Sequence, residues 1–450
     1  MFNILPLLNC FTPYLSSATI RQLGQIIPAM LMMSGRVTML GMSRWTDKGG
    51  SYRSIQRFFH RVIPWSQLFW IFFCAYLFKP EDVYILVGDE SVVTKSGKKT
   101  HGLDRFFSSL YGKAIPGLAF FALSLVNTQE RQSYPMIVKQ RVRSDAEKAE
   151  AKAKLKRKKA KKKSAKRKAG RPKGSKNKDK SKVELTAELG FIQAMIRHFL
   201  TLIKGTLPLS YLVLDGHFGN KNALHMTREC ELHLISKLRH DAALYFPYDG
   251  LYQGYGRPRK YGEKVDYDNL PQPYLKKVSL EDEIQTRIYQ ATLLNKQFPQ
   301  ALNVVIIVKL NLETGRRSHV ILFSSDLNLE YDLLIDYYCL RFQIEFNFRD
   351  AKQYWGLEDF MTVTETAVHN SANLSLFMVN LSQVLLTDFR QHSPQAGILD
   401  LKIHFRGCKY VTETLKLLPK MPDPILFQRI FQTVTQLGSI HNSQSRFNTS

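Results

Sequence analysis

Apolar residues recur at three- and four-residue intervals near the start of the chain, as in residues 20–32. This spacing is typical of amphipathic helices, and we predict a helical region over residues 1–78. A helix that begins at Ser51 would expose Arg53 and Arg57, four residues apart, on one side. Its inward face would carry Ile55, Phe58 and Phe59. We interpret residues 1–78 as an N-terminal helical DNA-binding region, although a solvated basic face on an ordinary helix explains the same pattern.

Short runs of β-branched and aromatic residues predict buried strands farther along the chain. The run at residues 83–87 ends at Asp89 and Glu90, and the run at residues 211–214 ends at Asp215. Each predicted strand therefore delivers a carboxylate at its carboxyl end. Further strands are predicted at residues 118–126, 136–142, 231–237, 304–310 and 320–324.

Helices are predicted to follow these strands. One is expected at residues 191–203, and a longer one is expected to begin near Tyr331 and to run past Lys352. The chain from Ala367 onward is mainly helical in pattern. Strands interspersed with helices predict an α/β fold.

The net charge of the chain indicates what class of partner it binds. The sequence has 64 Lys plus Arg against 38 Asp plus Glu, a formal net charge of +26. Residues 151–182 contain eighteen of the basic residues and one acid, Asp179, and so supply +17. The excess predicts a polyanionic partner, either nucleic acid or an anionic membrane surface.

Two Gly-Arg-Pro sequences lie among basic residues. The first includes Arg171 and Lys173, and the second includes Arg257 and Arg259. Such a core can place arginine in a narrow A·T minor groove. The alternative is a non-specific phosphate-binding tether, whose affinity for DNA would fall steeply with salt. Dense like charge makes us expect the segment 145–182 to be disordered when free.

Cysteines and hydropathy exclude several classes. The five cysteines are far apart and form no C-x-x-C pair, which argues against a zinc finger and against a disulfide scaffold. A reducing compartment fits them best. The richest apolar run, residues 68–78, is shorter than the roughly 20 residues that span a bilayer. No basic and apolar signal-peptide pattern is present at the N-terminus.

The helix predicted from Tyr331 carries an unusual polar strip. At 100° per residue, Tyr338, Arg341, Glu345 and Lys352 share one side of the helix, whose other positions are largely apolar. An internal Arg341–Glu345 salt bridge explains part of the strip. A DNA backbone along the helix would explain the tyrosine and the two cations, while the glutamate holds a metal ion.

The spacing Tyr-x2-Arg-x3-Glu-x6-Lys resembles the signature of the transposases of the Insertion Sequence 4 group, which are DDE enzymes. Tyr338, Arg341, Glu345 and Lys352 match it without a gap. In this group an RNase H-like sheet presents one Asp at the end of its first strand and another at the end of its fourth. The segments 86–91 and 213–218 resemble these two sites.

The resemblance covers roughly residues 80–390 and implies a function. It implies Asp89, Asp215 and Glu345 as catalytic residues and as ligands of two Mg²⁺ ions, for which Mn²⁺ can substitute. It implies that Tyr338, Arg341 and Lys352 contact phosphates of double-stranded DNA, at the transposon ends and in the target. A homodimer in the synaptic complex and a bacterial, nucleoid-associated cytoplasmic location are further expectations. Asp104 and Glu90 leave the choice of the first carboxylate open.

The predicted organisation is an RNase H-like catalytic core with a β-rich insertion before the Glu-bearing helix, preceded by the N-terminal helical region. The predicted segments are 1–78 (helical region), 79–144, 183–237 and 331–390 (catalytic core), 145–182 (basic segment), 238–330 (insertion) and 391–450 (C-terminal helices and tail).

Other roles and functions remain open from sequence. Tyr354 or Trp355 could stack on an extruded base, although a core position is the better interpretation for Trp355. His217 could contact DNA or metal, or be a structural histidine. A host nuclease on the same fold would need the three carboxylates but not the other strip residues. A non-catalytic DNA-binding relic of a transposase, or a polybasic membrane-surface protein, would need only the charge.

Overall fold

The computed structural model describes residues 4–441, apart from 48, 109–110, 150–152, 154–182, 253, 255 and 257. The chain opens with helices α1 (Leu5–Leu8), α2 (Ser17–Met32), α3 (Met39–Ser43), α4 (Tyr52–Phe59) and α5 (Trp65–Tyr76). Next come β1 (Tyr84–Thr94), β2 (Asp104–Ser108), β3 (Lys113–Asn127), β4 (Gln132–Arg141), α6 (Ala187–Leu202), β5 (Tyr211–Val213), α7 (Lys221–Arg228) and β6 (His233–Leu238).

The second half starts with a run of strands and ends in helices. The strands are β7 (Leu244–Pro247), β8 (Tyr261–Lys264), β9 (Leu275–Glu281), β10 (Ile284–Asn295), β11 (Ala301–Asn311) and β12 (Arg317–Ser324). The helices are α8 (Tyr331–Leu340), α9 (Gln343–Gln353), α10 (Glu365–Phe389), α11 (Ile398–Leu415) and α12 (Pro424–Gln436). Within the described residues, no helix is long and apolar enough to cross a membrane.

All of these strands belong to one mixed sheet in the order β2-β3-β1-β5-β6-β12-β11-β10-β7-β8, with β4 paired to β3 and β9 paired to β10. β1 pairs antiparallel with β3 and parallel with β5, and β5 pairs parallel with β6. β12 joins β6 in antiparallel fashion, so the strands between residues 244 and 324 continue the same sheet. The mixed α/β architecture is consistent with an RNase H-like fold. That residues 238–330 are an insertion stays a prediction.

Side chains on the two faces of the sheet belong to two apolar cores. Val87 and Val213 face one core, together with Ile344 of α9 and Phe377 of α10. Neighbouring residues on the same strands, such as Leu86 and Leu212, face the other core with α6. The alternation follows from the two-residue repeat of a β-strand, and both β1 and β5 are apolar on both faces because helices cover both.

The N-terminal helices pack on α10. The Trp65 indole donates a hydrogen bond to Oδ1 of Asn370, at 2.8 Å. The Asn370 amide donates in turn to the carbonyl oxygens of Phe59 and Arg61, at 2.8 and 2.7 Å. The first helices therefore share a core with the helix that follows the candidate site, and they fix its position.

The prediction of one unbroken helix from Tyr331 past Lys352 is wrong in one respect. The structure has two helices, α8 and α9, joined at Arg341 and Phe342. Both residues keep helical dihedral angles, and the N–H of Phe342 bonds to the carbonyl of Cys339 at 3.1 Å, three residues back. A tightened turn of this kind shifts the pitch but preserves the general direction of the helix.

Candidate active site

The pairing of β1 with β5 places two carboxylates side by side. Leu86 pairs with Leu212 and Val87 with Val213, in parallel register. Asp89 and Asp215 each lie two residues beyond the pair Val87 and Val213. β5 ends at Val213, and Asp215 follows it as the N-cap of a short 3₁₀ helix. The Asp215 carboxylate is close enough to Asp89 for its charge to raise the pKa of Asp89. By the same alternation, both side chains face the side of the sheet covered by α9.

The backbone next to Asp89 is tightly packed. A Cβ atom on Gly88 would lie 2.9 Å from Leu214 Cδ2 and 2.9 Å from Phe121 Cζ. Gly88 therefore leaves room for the ends of the Leu214 and Phe121 side chains, on the face of β1 opposite to Asp89.

Arg341 links two of the predicted acids. Its guanidinium Nη1 lies 3.1 Å from Asp89 Oδ2, and its Nη2 lies 3.2 Å from Glu345 Oε1. The side chains of Asp89, Arg341 and Glu345 are 24, 16 and 42 % exposed, so the group is partly shielded from water yet open on the glutamate side. The intrahelical salt bridge considered from sequence is therefore formed, and the same guanidinium also spans to β1.

Three negatively charged side chains, Asp89, Asp215 and Glu345, are crowded together in this cluster. Burial raises the pKa of Asp89 to about 6, and the like charges of Asp215 and Glu345 add to the increase, while Arg341 opposes it. The oxygen-only donor set is the kind that Mg²⁺ binds, so the residues fit a divalent cation by type. In the described residues, however, no three acidic, imidazole or thiol groups converge on one point. Arg341 stands between Asp89 and Glu345, and Glu345 must leave it to join the aspartates.

Tyr338 and Lys352 extend the strip on either side of Arg341. Burial raises the pKa of the Tyr338 hydroxyl, which also experiences the charges of Arg341 and Asp215. Lys352 Nζ donates to the carbonyl of Val92 on β1 at 3.0 Å and lies 3.5 Å from Glu358. The Lys352 end of the strip thus lies against β1.

The geometry also separates the three candidates for the first carboxylate. Glu90 follows Asp89 in β1 and so points to the opposite face, where the charges of Arg141 and Glu188 act on it. Asp104 lies on β2, 3.6 Å from Arg143. Only Asp89 among the three shares a face with Asp215 and α9, and this geometry favours it.

A family model described as DDE superfamily endonuclease matches residues 6–294, well over half of the chain. The chain belongs to the DDE superfamily endonucleases. This family consists of nucleases that act on DNA and typically use divalent metals. No curated protein matches the sequence. The matched residues include Asp89 and Asp215 but end before Glu345, so Glu345 as a third acid stays a prediction.

The remaining predicted DNA contacts of this endonuclease lie elsewhere. Arg53 and Arg57 are exposed on α4, whose first turn is capped by Ser51. Arg259 stacks on the ring of Tyr248, with 4.8 Å between the guanidinium carbon and the ring centre. None of these three is near the carboxylates in the chain or in the sheet order. Arg171, Lys173 and Arg257 lie outside the described residues.

Three ring-bearing side chains that the sequence suggested as possible contacts with DNA or metal lie partly in the core and partly at the surface. Trp355 is fully buried, so it is a core residue of the endonuclease and does not present its ring to DNA. Tyr354 is partly buried against the same core. His217 is mostly exposed and lies 3.8 Å from Glu188, on the side of the sheet away from α9.

One feature of the site gives no local sequence signal. Arg141 of β4 forms salt bridges with Glu188 at 2.8 Å and Glu147 at 3.3 Å, behind the strand that carries Asp89. Arg141 and Glu188 are distant along the chain and become neighbours only when α6 packs against β4. Only the pairing of the strands could have revealed them.

Proposed function

We propose that this endonuclease is a transposase of a bacterial insertion sequence, of the Insertion Sequence 4 group. It would cleave DNA at the terminal inverted repeats of its element and join the ends to target DNA. The observation that carries the proposal is the adjacency of Asp89 and Asp215 on parallel strands, with Glu345 tied to Asp89 through Arg341.

Asp89, Asp215 and Glu345 would hold the Mg²⁺ ions. When bound, a pair of such ions activates the attacking oxygen and stabilises the leaving oxygen of an in-line displacement at phosphorus. The chain's own residues position the DNA. Tyr338 and Lys352 lie at the two ends of the strip, where a hydroxyl and an ammonium group can donate hydrogen bonds to phosphate oxygens.

Arg341 has a second task in this proposal. Its guanidinium is an always-charged fork that binds a carboxylate or a phosphate in the same geometry. With no DNA present it neutralises Asp89 and Glu345. A phosphate that approaches the site offers the guanidinium a new partner, and Glu345 is then free to turn toward the aspartates. We further propose that two copies of the chain act together on the two transposon ends.

The test uses the purified full-length chain and a labelled duplex that carries the terminal repeat of its own element, with Mg²⁺, Ca²⁺ or EDTA. We expect cutting at the element boundary with Mg²⁺ only. Asp89→Asn, Asp215→Asn and Glu345→Gln should each reduce cutting at least about 1,000-fold while duplex binding persists, because each change removes one anionic ligand and almost no volume. Asp332→Asn, on the exposed side of α8, is the matched control.

The outcomes separate the alternatives. If the wild type binds the duplex but does not cut it with any of the divalent metals, the chain is a DNA-binding relic and the catalytic proposal is wrong. If it cuts any duplex, without preference for the element end, a host nuclease becomes the better account. Joining of the cut end to a second duplex distinguishes a transposase from both.

A further inference from the structure

Two lysines that the catalytic proposal leaves unused stand on the same face of the sheet as the carboxylates. Lys277 lies on β9 and Lys309 on β11, both exposed, and neither forms an ion pair within the described part of the chain. Their positions follow from the strand register and from the alternation of side chains.

The register fixes the face. Ile288 pairs with Lys277 and also with Ile307, and Ile307 pairs with Val320. These three apolar residues pack against the core that includes α8 and α9. Directly paired residues share a face, so Lys277 projects toward the α9 side. Lys309 lies two residues beyond Ile307 on the same strand and projects to that side as well.

Hydroxyl groups complete the surface. Lys309 pairs with Thr286 on one side and Ser318 on the other, and Thr286 pairs with Ser279. The row Ser279, Thr286, Lys309 and Ser318 therefore crosses four strands at about 4.8 Å spacing. Lys277 lies two residues from Ser279 on the same face. Every side chain of this row, and Lys277, can donate a hydrogen bond, and the acid Glu281 on this face lies at the end of β9.

The distance to the carboxylates is set by the sheet. The register that aligns Asp89 with Asp215 continues through Lys237 on β6 to Leu322 and Val305. β11 is four strands from β1, which is about 19 Å, and Lys309 lies four residues along from Val305, which is about 13 Å. Lys309 thus lies about 23 Å from Asp89, and Lys277, on β9 two strands farther out, lies about 30 Å from it. These distances span about seven to nine base pairs of duplex DNA.

We propose that this surface, defined by Lys277, Ser279, Thr286, Lys309 and Ser318, binds the phosphate backbone of the duplex whose end is held at Asp89, Asp215 and Glu345. The inference rests on the proposed function for the identity of the DNA. It adds a second contact with the backbone, so that the sheet beyond β6 aligns the duplex and sets the distance from the contact to the cut.

The experiment compares Lys277→Ala/Lys309→Ala with Lys276→Ala/Arg287→Ala in the full-length chain. Lys276 on β9 and Arg287 on β10 are also exposed, but they project from the opposite face of the sheet. The two double variants lose the same charge. Binding to a 40-base-pair duplex with the element's terminal repeat is measured in Ca²⁺ across a salt series, with hydroxyl-radical footprinting on the same duplex.

We expect the Lys277/Lys309 variant to lower the slope of log K against log salt by about 2, and the control variant by less than half of that. Protection about seven to nine base pairs from the cut should vanish in the first variant alone. Equal slopes and equal footprints in the two variants would overturn the inference, even if the wild type cuts DNA. A wild type that binds without cutting, and that still depends on Lys277 and Lys309, would support this surface while refuting the catalytic proposal. A wild type that binds no duplex overturns both.

Discussion

Asp400 anchors the end of the described chain, and its replacement gives a sharp test of the structure. Its side chain is 1 % exposed. Oδ2 accepts the N–H of Gly397 at 3.0 Å and lies 2.9 Å from Nδ1 of His441. Oδ1 accepts the Ser439 hydroxyl at 3.0 Å and the N–H groups of Ile440 and His441 at 2.6 and 3.2 Å. One buried carboxylate thus caps α11 and fixes the segment after α12.

Asp400→Asn keeps the shape and removes the charge. The amide oxygen of asparagine can retain the donors now on Oδ1, but its NH₂ group would face the N–H of Gly397. A buried donor without an acceptor costs about 1–3 kcal/mol, and the remaining bonds lose their charge assistance. We expect a local cost of about 2–4 kcal/mol, which corresponds to about a 30- to 900-fold increase in the opening of residues 437–441.

Hydrogen exchange measured by mass spectrometry on a peptide that covers residues 437–441 reads out this opening directly. The amides of Ile440 and His441 should exchange faster by the stated factor, while peptides from β1 and β3 should be unchanged. Asp388→Asn, at an exposed position on α10, is the control and should change neither. Equal exchange of the two amides in Asp400→Asn and in the wild type would refute the reasoning.

The hydrogen bonds of Asp400 also predict how acid pH weakens the anchoring of residues 437–441. Burial alone would raise the pKa of Asp400, but its hydrogen bonds with Gly397, His441 and Ile440 hold that pKa below the ordinary value. The folded pKa is therefore below the unfolded value of about 3.9, so the stabilisation is complete above about pH 4 and is lost as the pH falls through the folded pKa. Protection of the two amides should be constant from neutral pH down to about pH 4 and should decline progressively as the pH falls further.

Two further predictions concern other buried groups. Burial lowers the pKa of Lys402 to about 7, whereas an unfolded lysine titrates near about 10.4, so the unfolded chain binds more protons between these values and the stability should rise with pH across them. Urea midpoints from pH 7 to 10 should show this rise in the wild type, by up to about 1.4 kcal/mol per pH unit, and the same rise in Lys402→Met would contradict it. Asn370→Ala removes the partner of the Trp65 indole and of the Phe59 carbonyl, and should cost about 2–4 kcal/mol in urea unfolding. Gln383→Ala on the same helix is its control, and equal midpoints for the two variants would show that the bridge to the N-terminal helices contributes little.

Local patterns predicted the elements that carry the candidate site. Strands at Asp89 and Asp215 and a helix with Arg341 and Glu345 could be read from runs of five to fifteen residues, because burial on one or both faces leaves a periodic signal. The boundaries moved, as in β1, which continues to Thr94 beyond the predicted end at residue 87. The sequence did not reveal the break between α8 and α9, because the tightened turn at Arg341 differs from a regular helix only in its hydrogen bonding.

Long-range pairings left no such signal. The joining of β6 to β12 depends on residues about 90 positions apart, such as Ile235 and Ser324, and makes one sheet of segments that the sequence presents as separate. The hydrogen bond between Asn370 and Trp65 is a second example, because no residue near Asn370 in the chain indicates it. Cross-strand register and packing between distant helices arise from the whole chain, and short-range periodicity cannot encode them.

Arg341 shows how the strip can serve folding and chemistry with the same residues. Alone, Asp89 and Glu345 would leave two partly buried carboxylates uncompensated beside Asp215, at a high cost in desolvation and repulsion. The guanidinium offsets part of that cost in the free protein, because it contacts both Asp89 on β1 and Glu345 on α9. Once cations occupy the carboxylates the same guanidinium becomes an unpaired positive charge at the edge of the site. A DNA phosphate is then its natural partner, so cation binding and DNA binding should each favour the other in the proposed transposase.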